Sequence, residues 1–346
     1  MFFTTYILLR LVYWLNFVFR KLSDLIFGTV LEPKFDIALV TGGCSGLGKE
    51  FVLQLVSRKV KVVVLDITSP KDEDRVQDVA YFICDVSKRE NVLDVQKKVE
   101  SLVGTVTILI NNAAIATGKP LLDLSFHEIE KTIQTNLMSS FYTIKSYLPG
   151  MIQMGRGYIV TIASVLGYMS PARLSAYGAS KSGLIALHES LTHELGSPVI
   201  GSNGIKTLLV CPGQLSTKMF KGVRTPTQIF APELDPKFVA SYVVSAIEQG
   251  RRGEIKLPFY GKFLPLFRAF PWPIVALARK FSGIDKSMDA FKAKVSRVAS
   301  SVSLIIAMSR NGSTDNSPTL LRGSLTVSPQ ASISLNVEEG KRENQK

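Results

Sequence analysis

The sequence is poor in the residues that build disulfide frameworks and metal centres, with three cysteines and three histidines among 346 residues. Cys44, Cys84 and Cys211 are odd in number and far apart, which argues against a disulfide framework and fits a reducing compartment. No cysteine pair has CxxC-type spacing. His188 and His193 are five residues apart, so they would point to different faces of a helix, unlike the two histidines of HExxH. The sequence therefore predicts no metal site.

The chain also lacks a nucleic-acid-binding motif, although its formal net charge is +13. Much of this charge is near the C-terminus, where residues 251–297 contain eleven basic and three acidic residues. The basic residues there are interleaved with aromatic residues and prolines, as in LPFYGKFLPLFRAFPWP. We therefore expect an anionic membrane surface as the partner of this region, and no nucleic acid.

The N-terminus lacks the features of a secretory signal, because no basic segment precedes its apolar run and no small-residue cleavage site follows it. Residues 2–19 are mostly apolar and would span about 27 Å as a helix, close to the roughly 30 Å of a bilayer core. Arg10 lies at the middle of this run. We expect residues 1–32 to be a retained membrane anchor, either spanning or lying in the interface, with a buried helix of a soluble protein as the alternative. If the anchor spans, the basic residues after it favour a cytosolic location for the rest of the chain.

The C-terminal region has no aromatic residue after Phe291, and residues 300–346 contain ten serines. Such a segment buries too little apolar area to offset its chain entropy, so residues 299–346 are predicted to be a disordered tail. Residues 257–298, by contrast, begin with a cluster of aromatic and basic residues. We interpret them as an extension that forms a substrate lid or a membrane-docking patch.

Between residues 36 and 256, short runs rich in Val and Ile alternate with longer amphipathic stretches. The runs are residues 37–42, 60–66, 80–85, 107–114, 157–164 and 205–213. Apolar strands separated by helices indicate an α/β fold, a Rossmann-type doubly wound parallel sheet in a single domain. Ligands of such sheets bind at the carboxyl ends of the strands, where each run here ends in small or polar residues.

The first run leads into the glycine-rich stretch TGGCSGLGKE, which opens a helix. Gly42, Gly46 and Gly48 would allow a tight turn and bring the backbone close to a pyrophosphate at the helix N-terminus. The second run ends in Asp66, twenty residues after Gly46. A carboxylate there can accept both ribose hydroxyls of the adenosine half and repel a 2′-phosphate. The sequence predicts NAD as the preferred cofactor, with NADP left open.

Tyr177 and Lys181, in SAYGASKSGL, are one helical turn apart and would share a face. A tyrosine, with an ordinary pKa near 10, is a poor base at neutral pH. A nearby ammonium group favours the phenolate, so we expect Lys181 to lower the pKa of Tyr177. The four-residue spacing alone is weak evidence for this chemistry.

In their order along the chain, these motifs resemble the short-chain dehydrogenase/reductase family over roughly residues 36–256. The glycine loop has the family's TGxxxGxG pattern, NNAA at 111–114 is similar to its NNAG apart from Ala114, and Ser164 lies thirteen residues before Tyr177. The resemblance implies that the catalytic residues are Asn136, Ser164, Tyr177 and Lys181. It implies that the cofactor is bound by Gly42, Ser45, Gly46, Leu47, Gly48, Asp66, Asp85, Val86, Asn112, Tyr177, Lys181, Pro212, Gly213 and Thr217.

The family's chemistry is hydride transfer between a nicotinamide and a carbonyl or alcohol carbon. By resemblance, Tyr177 is the general acid or base, Ser164 orients the substrate oxygen, and Lys181 also bonds the nicotinamide ribose. Asn136 would hold a water that links Lys181 to solvent. The anchor and the basic, aromatic extension resemble retinol dehydrogenase and 17β-hydroxysteroid dehydrogenase-like members of endoplasmic reticulum and lipid droplets. This implies a membrane or lipid-droplet location facing the cytosol and a lipophilic alcohol or ketone (retinoid, steroid or lipid type) as substrate.

Two other functions stay open at this point. One is an NADPH-dependent reductase of a lipid ketone, of the 3-ketosphinganine or acyl-dihydroxyacetone-phosphate type, against which Asp66 argues. The other is a non-catalytic scaffold at a membrane or lipid droplet, against which the complete set of four catalytic residues argues. The family usually pairs through its long helices, so a homodimer is one expected assembly.

Overall fold

The computed structural model of the chain describes Trp14 and residues 31–196, 204–220, 223 and 231–287. By its internal contacts the chain divides into two units, Met1–Arg297 and Val298–Lys346, and every described residue belongs to the first. The anchor predicted at 1–32 lies outside the described residues apart from positions 14, 31 and 32. So do residues 288–298 and the predicted tail at 299–346. Among the residues described, no helix combines the length and hydropathy needed to cross a membrane.

The described residues form a single α/β domain around a parallel sheet of seven strands. The strands are β1 Ile37–Thr41, β2 Lys61–Asp66, β3 Val79–Ile83, β4 Ile108–Asn111, β5 Gly157–Ile162, β6 Ile205–Pro212 and β7 Gly253–Leu257. Their order across the sheet is β3-β2-β1-β4-β5-β6-β7, and every neighbouring pair is parallel. The order reverses between β1 and β4, which confirms the predicted doubly wound sheet.

The seventh strand is missing from the sequence prediction, which has six. β7 pairs with β6 on one side and forms the edge of the sheet. Of its five residues only Ile255 is buried, while Glu254 is exposed and Lys256 is partly buried. An edge strand of this kind has no continuous apolar run, and for that reason it was not recognised.

Nine α-helices have both ends within the described residues, and Trp14 is also helical. They are α1 Gly46–Ser57, α2 Arg89–Leu102, α3 Phe126–Ile133, α4 Ser139–Met154, α5 Ser175–Glu194, α6 Pro236–Glu248, α7 Leu264–Phe267, α8 Trp272–Ser282 and α9 Ile284–Ser287. Helices α1 and α6 cover one face of the sheet, and α2, α4 and α5 cover the other. Alternate strand residues supply the two cores: Ala38 and Val40 face α1 and α6, whereas Leu39 faces the opposite layer.

The helical stretch formed by α3 and α4 contains an irregular turn that positions the predicted site residue Asn136. Helix α3 begins with a capping box, in which Ser125 Oγ accepts from the Glu128 N–H at 3.2 Å and Glu128 Oε2 accepts from the Ser125 N–H at 2.9 Å. The chain then passes through a π-helical turn, Gln134–Met138, directly into α4. This turn carries Asn136 and buries it beside the first turns of α5.

Candidate active site

A cavity of about 1090 Å³ runs along the carboxyl edge of the sheet. At one end it is lined by Asp66 and Asp85, at its middle by Tyr177, and at the other end by residues of α7 and α8. The predicted site residues that line it are Gly42, Ser45, Gly46, Leu47, Asp66, Asp85, Val86, Asn112, Ser164, Tyr177, Lys181, Pro212, Gly213 and Thr217. Gly48 and Asn136 lie behind this surface, and each supports a residue that reaches it.

The glycine loop after β1 is shaped by close contacts that exclude side chains. Gly46 has a φ of +53°, in the left-handed region that favours glycine. A Cβ at Gly48 would lie 2.0 Å from the carbonyl oxygen of Gly42, so the first turn of α1 can pack on the loop only without a side chain there. The loop thus brings the N-terminal backbone N–H groups of α1 to the cavity, where they can bind a phosphate.

Asp66 lies at the end of β2 beside this loop. Its Oδ2 accepts from the Cys44 N–H at 3.0 Å, and its Oδ1 accepts from the Thr68 N–H at 3.2 Å. These bonds fix the carboxylate at the rim of the cavity. Oδ1 also accepts from the Thr68 hydroxyl at 3.3 Å, whereas Oδ2 can accept a further hydrogen bond. A vicinal pair of hydroxyls could therefore bind if the Thr68 hydroxyl turned away from Oδ1.

Two further polar residues shape the cofactor end. Asn112 Nδ2 donates to the carbonyl oxygens of Thr41 at 3.0 Å and Gly42 at 3.3 Å, and so ties the end of β4 to the glycine loop. Asp85 Oδ1 accepts from the Ser87 N–H at 3.1 Å and from the Ser87 hydroxyl at 2.6 Å. Asn112 therefore acts on the cofactor end by positioning the loop, and Asp85 belongs to a turn whose next residues open α2.

Three of the four predicted catalytic side chains meet at the middle of the cavity. Ser164 follows β5, and its hydroxyl donates to the Pro212 carbonyl at 3.3 Å and accepts from the Leu166 N–H at 3.1 Å. Tyr177 and Lys181 lie in the first two turns of α5, with Lys181 Nζ 5.7 Å from the centroid of the Tyr177 ring. Lys181 Nζ also donates to the Ile162 carbonyl at 2.8 Å, which anchors it to the last residue of β5.

The protonation of this pair is governed by burial. Burial raises the pKa of Tyr177 to about 12, and the Ser164 hydroxyl offsets only part of that effect. Burial lowers the pKa of Lys181 to about 8. In the protein by itself burial therefore dominates the pKa of Tyr177. The lowering expected from Lys181 together with an oxidised nicotinamide stays a prediction.

Asn136 is placed differently from the other three. Its Oδ1 accepts from the Ile115 N–H at 2.8 Å, and its Nδ2 donates to the Ile115 carbonyl at 2.9 Å and to Ser180 Oγ at 3.0 Å. Ile115 lines the cavity, and Ser180 lies between Tyr177 and Lys181 in the chain. With its side chain committed to these partners, Asn136 positions the cavity wall and the catalytic helix.

Pro212, Gly213 and Thr217 follow β6 and close the cavity opposite the glycine loop. The Gly213 N–H donates to the Leu257 carbonyl at 2.7 Å, and a Cβ built on Gly46 would lie 3.6 Å from the Thr217 methyl. Thr217 is therefore across the cofactor end from the first turn of α1. All three residues line the cavity, and the contact with a nicotinamide and its phosphates that the resemblance implies stays a prediction.

The apolar end of the cavity is formed by the loop after Gly213 and by the C-terminal extension, whose aromatic residues Tyr260, Phe263 and Phe267 are prominent in the sequence. Phe220 packs edge-on against Tyr177 with ring centroids 5.7 Å apart, and Leu174 and Val223 bury the same ring. Residues of the C-terminal extension complete the wall: Tyr260, Phe263, Leu264, Phe267, Ala278 and Ile284. The sequence pointed to the loop after Gly213 and to the aromatic extension, but it carried no signal for which of their side chains turn inward.

A dinucleotide cradle beside a tyrosine, a lysine and a serine defines a class of protein. The strand ends supply backbone donors and a carboxylate for a dinucleotide, and the buried tyrosine can exchange a proton with an oxygen held near Ser164. This donor set fits a nicotinamide cofactor. The class is that of oxidoreductases that act on alcohols and ketones.

Comparisons with known proteins agree with this class. The family model described as short chain dehydrogenase matches residues 36–228. An uncharacterized oxidoreductase of Saccharomyces cerevisiae is 38% identical over 252 residues, which cover 72% of this chain and 82% of that protein. Retinol dehydrogenase 10 of Homo sapiens is 33% identical over 294 residues, which cover 75% of this chain and 85% of that protein.

Solved structures show the same fold. The structure of 4-hydroxyisoleucine dehydrogenase complexed with NADH aligns with a TM-score of 0.57 at 23% identity, covering 64% of this chain and 97% of that one. A short-chain dehydrogenase from Streptomyces avermitilis aligns with a TM-score of 0.58, covering 72% and 96%. The chain belongs to the short-chain dehydrogenase family, and it is an oxidoreductase.

Proposed function

We propose that this protein interconverts a lipophilic alcohol and its carbonyl compound, using NAD in preference to NADP. The observation that carries the proposal is the position of Tyr177 in the cavity. Its hydroxyl neighbours Ser164, with the cofactor end of the cavity on one side and an apolar wall on the other. Hydride acceptor, proton carrier and apolar substrate would therefore meet at one point.

The proton passes through the side chains of this chain. The nicotinamide, when bound, accepts or supplies the hydride, and its oxidised form adds positive charge. Such a charge favours the phenolate of Tyr177, whose pKa burial otherwise raises to about 12. Ser164 holds the substrate oxygen, Tyr177 takes or gives its proton, and Lys181 sits behind Tyr177 as the next ionisable group.

Replacing Tyr177 with Phe tests the proton-transfer role. The variant keeps the packed ring against Phe220, so we expect the fold and cofactor binding to persist while turnover falls by about 10²-fold or more. Tyr142→Phe is the matched control, because that hydroxyl bonds Gln134 at the protein surface. Undiminished turnover by Tyr177→Phe on any substrate would rule out the mechanism, and wild-type protein inactive on every alcohol and ketone would favour the scaffold.

The preference for NAD is inferred from Asp66. A carboxylate fixed at the ribose end repels a 2′-phosphate, and neither Ile67 nor Thr68 after it is basic. We expect wild-type protein to bind NADH tighter than NADPH in fluorescence titrations. Asp66→Asn should reduce the ratio of the two affinities roughly tenfold or more, whereas Asp94→Asn, an exposed change on α2, should leave it unchanged. The opposite ranking in wild type would favour the NADPH-dependent lipid ketone reductase.

The substrate class is inferred from the apolar end of the cavity and from a relative. Val165, Leu174, Phe220 and Val223 surround the space next to Tyr177, and retinol dehydrogenase 10 is named for a lipophilic alcohol. A screen of retinoids, steroids, fatty alcohols and ketolipids in liposomes, with either cofactor, would identify it. Turnover confined to small hydrophilic alcohols would contradict this substrate class.

We also place the protein at the cytosolic face of the endoplasmic reticulum or of lipid droplets. The support is the apolar N-terminal run and the substrate class, since lipophilic alcohols partition into membranes. Fractionation of cells that express the full chain should recover it with these membranes and leave it sensitive to added protease. Recovery in the soluble fraction would contradict this location.

A further inference from the structure

The largest feature that the hydride chemistry does not use is an exposed apolar surface on the C-terminal extension. It is formed by residues 259–281, and we call it the α7–α8 surface. Its exposed large side chains include Phe259, Leu266, Phe270, Trp272, Leu277 and Phe281. Trp272 is 73% exposed and Phe281 80% exposed, although both are among the most costly side chains to leave in water.

The charges on this surface are of one sign. Lys262, Arg268 and Lys280 are exposed, and Lys262 Nζ lies 5.3 Å from the centroid of the Phe259 ring. The neighbouring Asp285 is neutralised by Arg279, with a Nη2 to Oδ1 distance of 2.6 Å. Aromatic and aliphatic side chains among unopposed cations are complementary to a surface that is both apolar and negatively charged.

We propose that the α7–α8 surface docks on an anionic phospholipid bilayer. Trp and Phe are favoured at the level of the lipid headgroups, and each lysine or arginine near such a surface adds to the attraction. A second copy of this chain is the less favourable occupant, because the same cations would face each other across a symmetric contact.

The α7–α8 surface lies next to the apolar end of the cavity, so docking would affect how a substrate reaches that cavity. The inward sides of the same segment, including Phe267 and Ala278, line the apolar end of the cavity, and Phe263 both lines it and is exposed. Docking would therefore place the substrate end of the cavity against the lipid. This part of the inference rests on the proposed lipophilic substrate, whereas the docking itself does not.

The segment is also bonded to the loop that follows Ser164. Arg268 Nη2 donates to the Gly167 carbonyl at 2.9 Å, and Arg279 Nη1 donates to the Ser170 carbonyl at 2.9 Å. Asp285 Oδ1 accepts from the Ala172 N–H at 2.8 Å. These bonds fix the orientation of the surface relative to the catalytic loop, so a docked protein presents its cavity to the membrane in one orientation.

Trp272 offers a native reporter, because the chain has two tryptophans, Trp14 and Trp272. The test uses the full chain with Trp14→Phe and vesicles of phosphatidylcholine and phosphatidylserine that carry brominated acyl chains. We expect Trp272 emission to shift to the blue and to be quenched by the bromines. Quenching should weaken in phosphatidylcholine alone and in high salt.

Two controls separate docking by this surface from attachment by the N-terminal segment. In the first, Trp14→Phe and Trp272→Phe are combined with Phe238→Trp, so that the only tryptophan lies on the exposed side of α6. The emission of this tryptophan should not be quenched by the brominated lipid. In the second, Lys262→Glu with Lys280→Glu should weaken the docking equilibrium of Trp272 roughly thirty-fold or more, whereas Lys97→Glu with Lys98→Glu on α2 should not.

Three results would overturn the inference. The first is vesicle-bound protein whose Trp272 stays unquenched. The second is equal quenching in neutral and anionic vesicles. The third is shielding of Trp272 that rises with protein concentration in the absence of lipid, which would assign the surface to a second copy of the chain. None of these measurements uses turnover, so failure of docking and failure of the proposed function are distinguishable.

Discussion

At the scale of single residues, desolvation governs the ionisable groups near the site. Tyr177, Lys181 and His188 are 6%, 2% and 4% exposed, and burial shifts the pKa of each in the direction that favours its neutral form. Tyr177 therefore keeps its proton at neutral pH, and Lys181 loses its charge above about pH 8. Under the proposed function, Tyr177 releases its proton only when a positive charge arrives. Proton exchange is thereby linked to the cofactor's charge.

His188 allows the effect of burial on a pKa to be tested at a residue that has no proposed catalytic role. Burial lowers its pKa from 6.5 to about 4, and its Nδ1 lies 3.2 Å from Thr161 Oγ1. Between these pH values the unfolded chain binds more protons than the folded one, so stability is lost as pH falls through this window. We expect His188 to account for about 3 kcal/mol of that loss.

Urea unfolding at pH 7 and at pH 4 measures this contribution. His188→Asn keeps a polar partner for Thr161 and should lose less stability on acidification than wild type. His127→Asn, which replaces an exposed imidazole, serves as the control and should behave as wild type. Equal acid losses in His188→Asn and wild type would show that the buried imidazole does not contribute.

At the scale of elements, an ion pair joins the amino ends of β1 and β5. Arg156 donates to both oxygens of Asp36, from Nε at 2.8 Å and from Nη2 at 2.6 Å, and Thr107 Oγ1 donates to the same carboxylate at 2.8 Å. Burial would raise the pKa of Asp36, but these bonds and the bond from the Glu32 N–H hold it below its ordinary value. The stabilisation is present at neutral pH and is lost in strong acid, below about pH 4.

We expect Arg156→Met to lower the free energy of unfolding by about 3 kcal/mol, because it leaves Asp36 buried and unpaired. Asp36→Asn combined with Arg156→Met should recover part of this loss in urea unfolding. Arg89→Met removes an exposed pair with Glu90 and should cost less than about 1 kcal/mol. A similar small cost for Arg156→Met would show that the buried pair contributes no more than the exposed one.

The elements also show which parts of the fold and of the site can be predicted from the sequence. Strands β1, β2, β4, β5 and β6 are largely buried, and the edge strand β3 still contains an apolar run, so these six could be recognised. The edge strand β7 could not, because Glu254 and Lys256 interrupt its apolar residues. The π turn that carries Asn136 has no local signal, since Gln134–Met138 is preceded and followed by helix. Phe220 and Val223 reach Tyr177 through tertiary packing of a loop, which residue spacing does not encode.

At the scale of the whole molecule, the cavity collects residues from the ends of six strands. The ends of β1 to β6 all contribute to it, together with the first turn of α1. A dinucleotide bound there would contact most of the sheet and would bind the folded state alone. Its binding is therefore coupled to global unfolding.

We expect NADH to raise the unfolding temperature in a concentration-dependent way, with about 2.7 kcal/mol of stabilisation at a hundred times the dissociation constant. Differential scanning calorimetry with NADH measures the effect. Gly48→Ala is the informative variant, because its Cβ would meet the Gly42 carbonyl at 2.0 Å and displace the loop. We expect this variant to lose the NADH-dependent shift, and a full shift would contradict the assignment of the loop to the pyrophosphate.

The apolar end of the cavity is completed by a part of the chain that lies outside the family match. The family match covers residues 36–228, whereas α7 and α8, which close the apolar end, follow it at Leu264–Phe267 and Trp272–Ser282. Under the proposed function, this part of the apolar wall could therefore be exchanged without altering the residues around Tyr177. Exchanging residues 257–287 for those of a relative would be the natural route to transplant substrate choice onto an unchanged catalytic core.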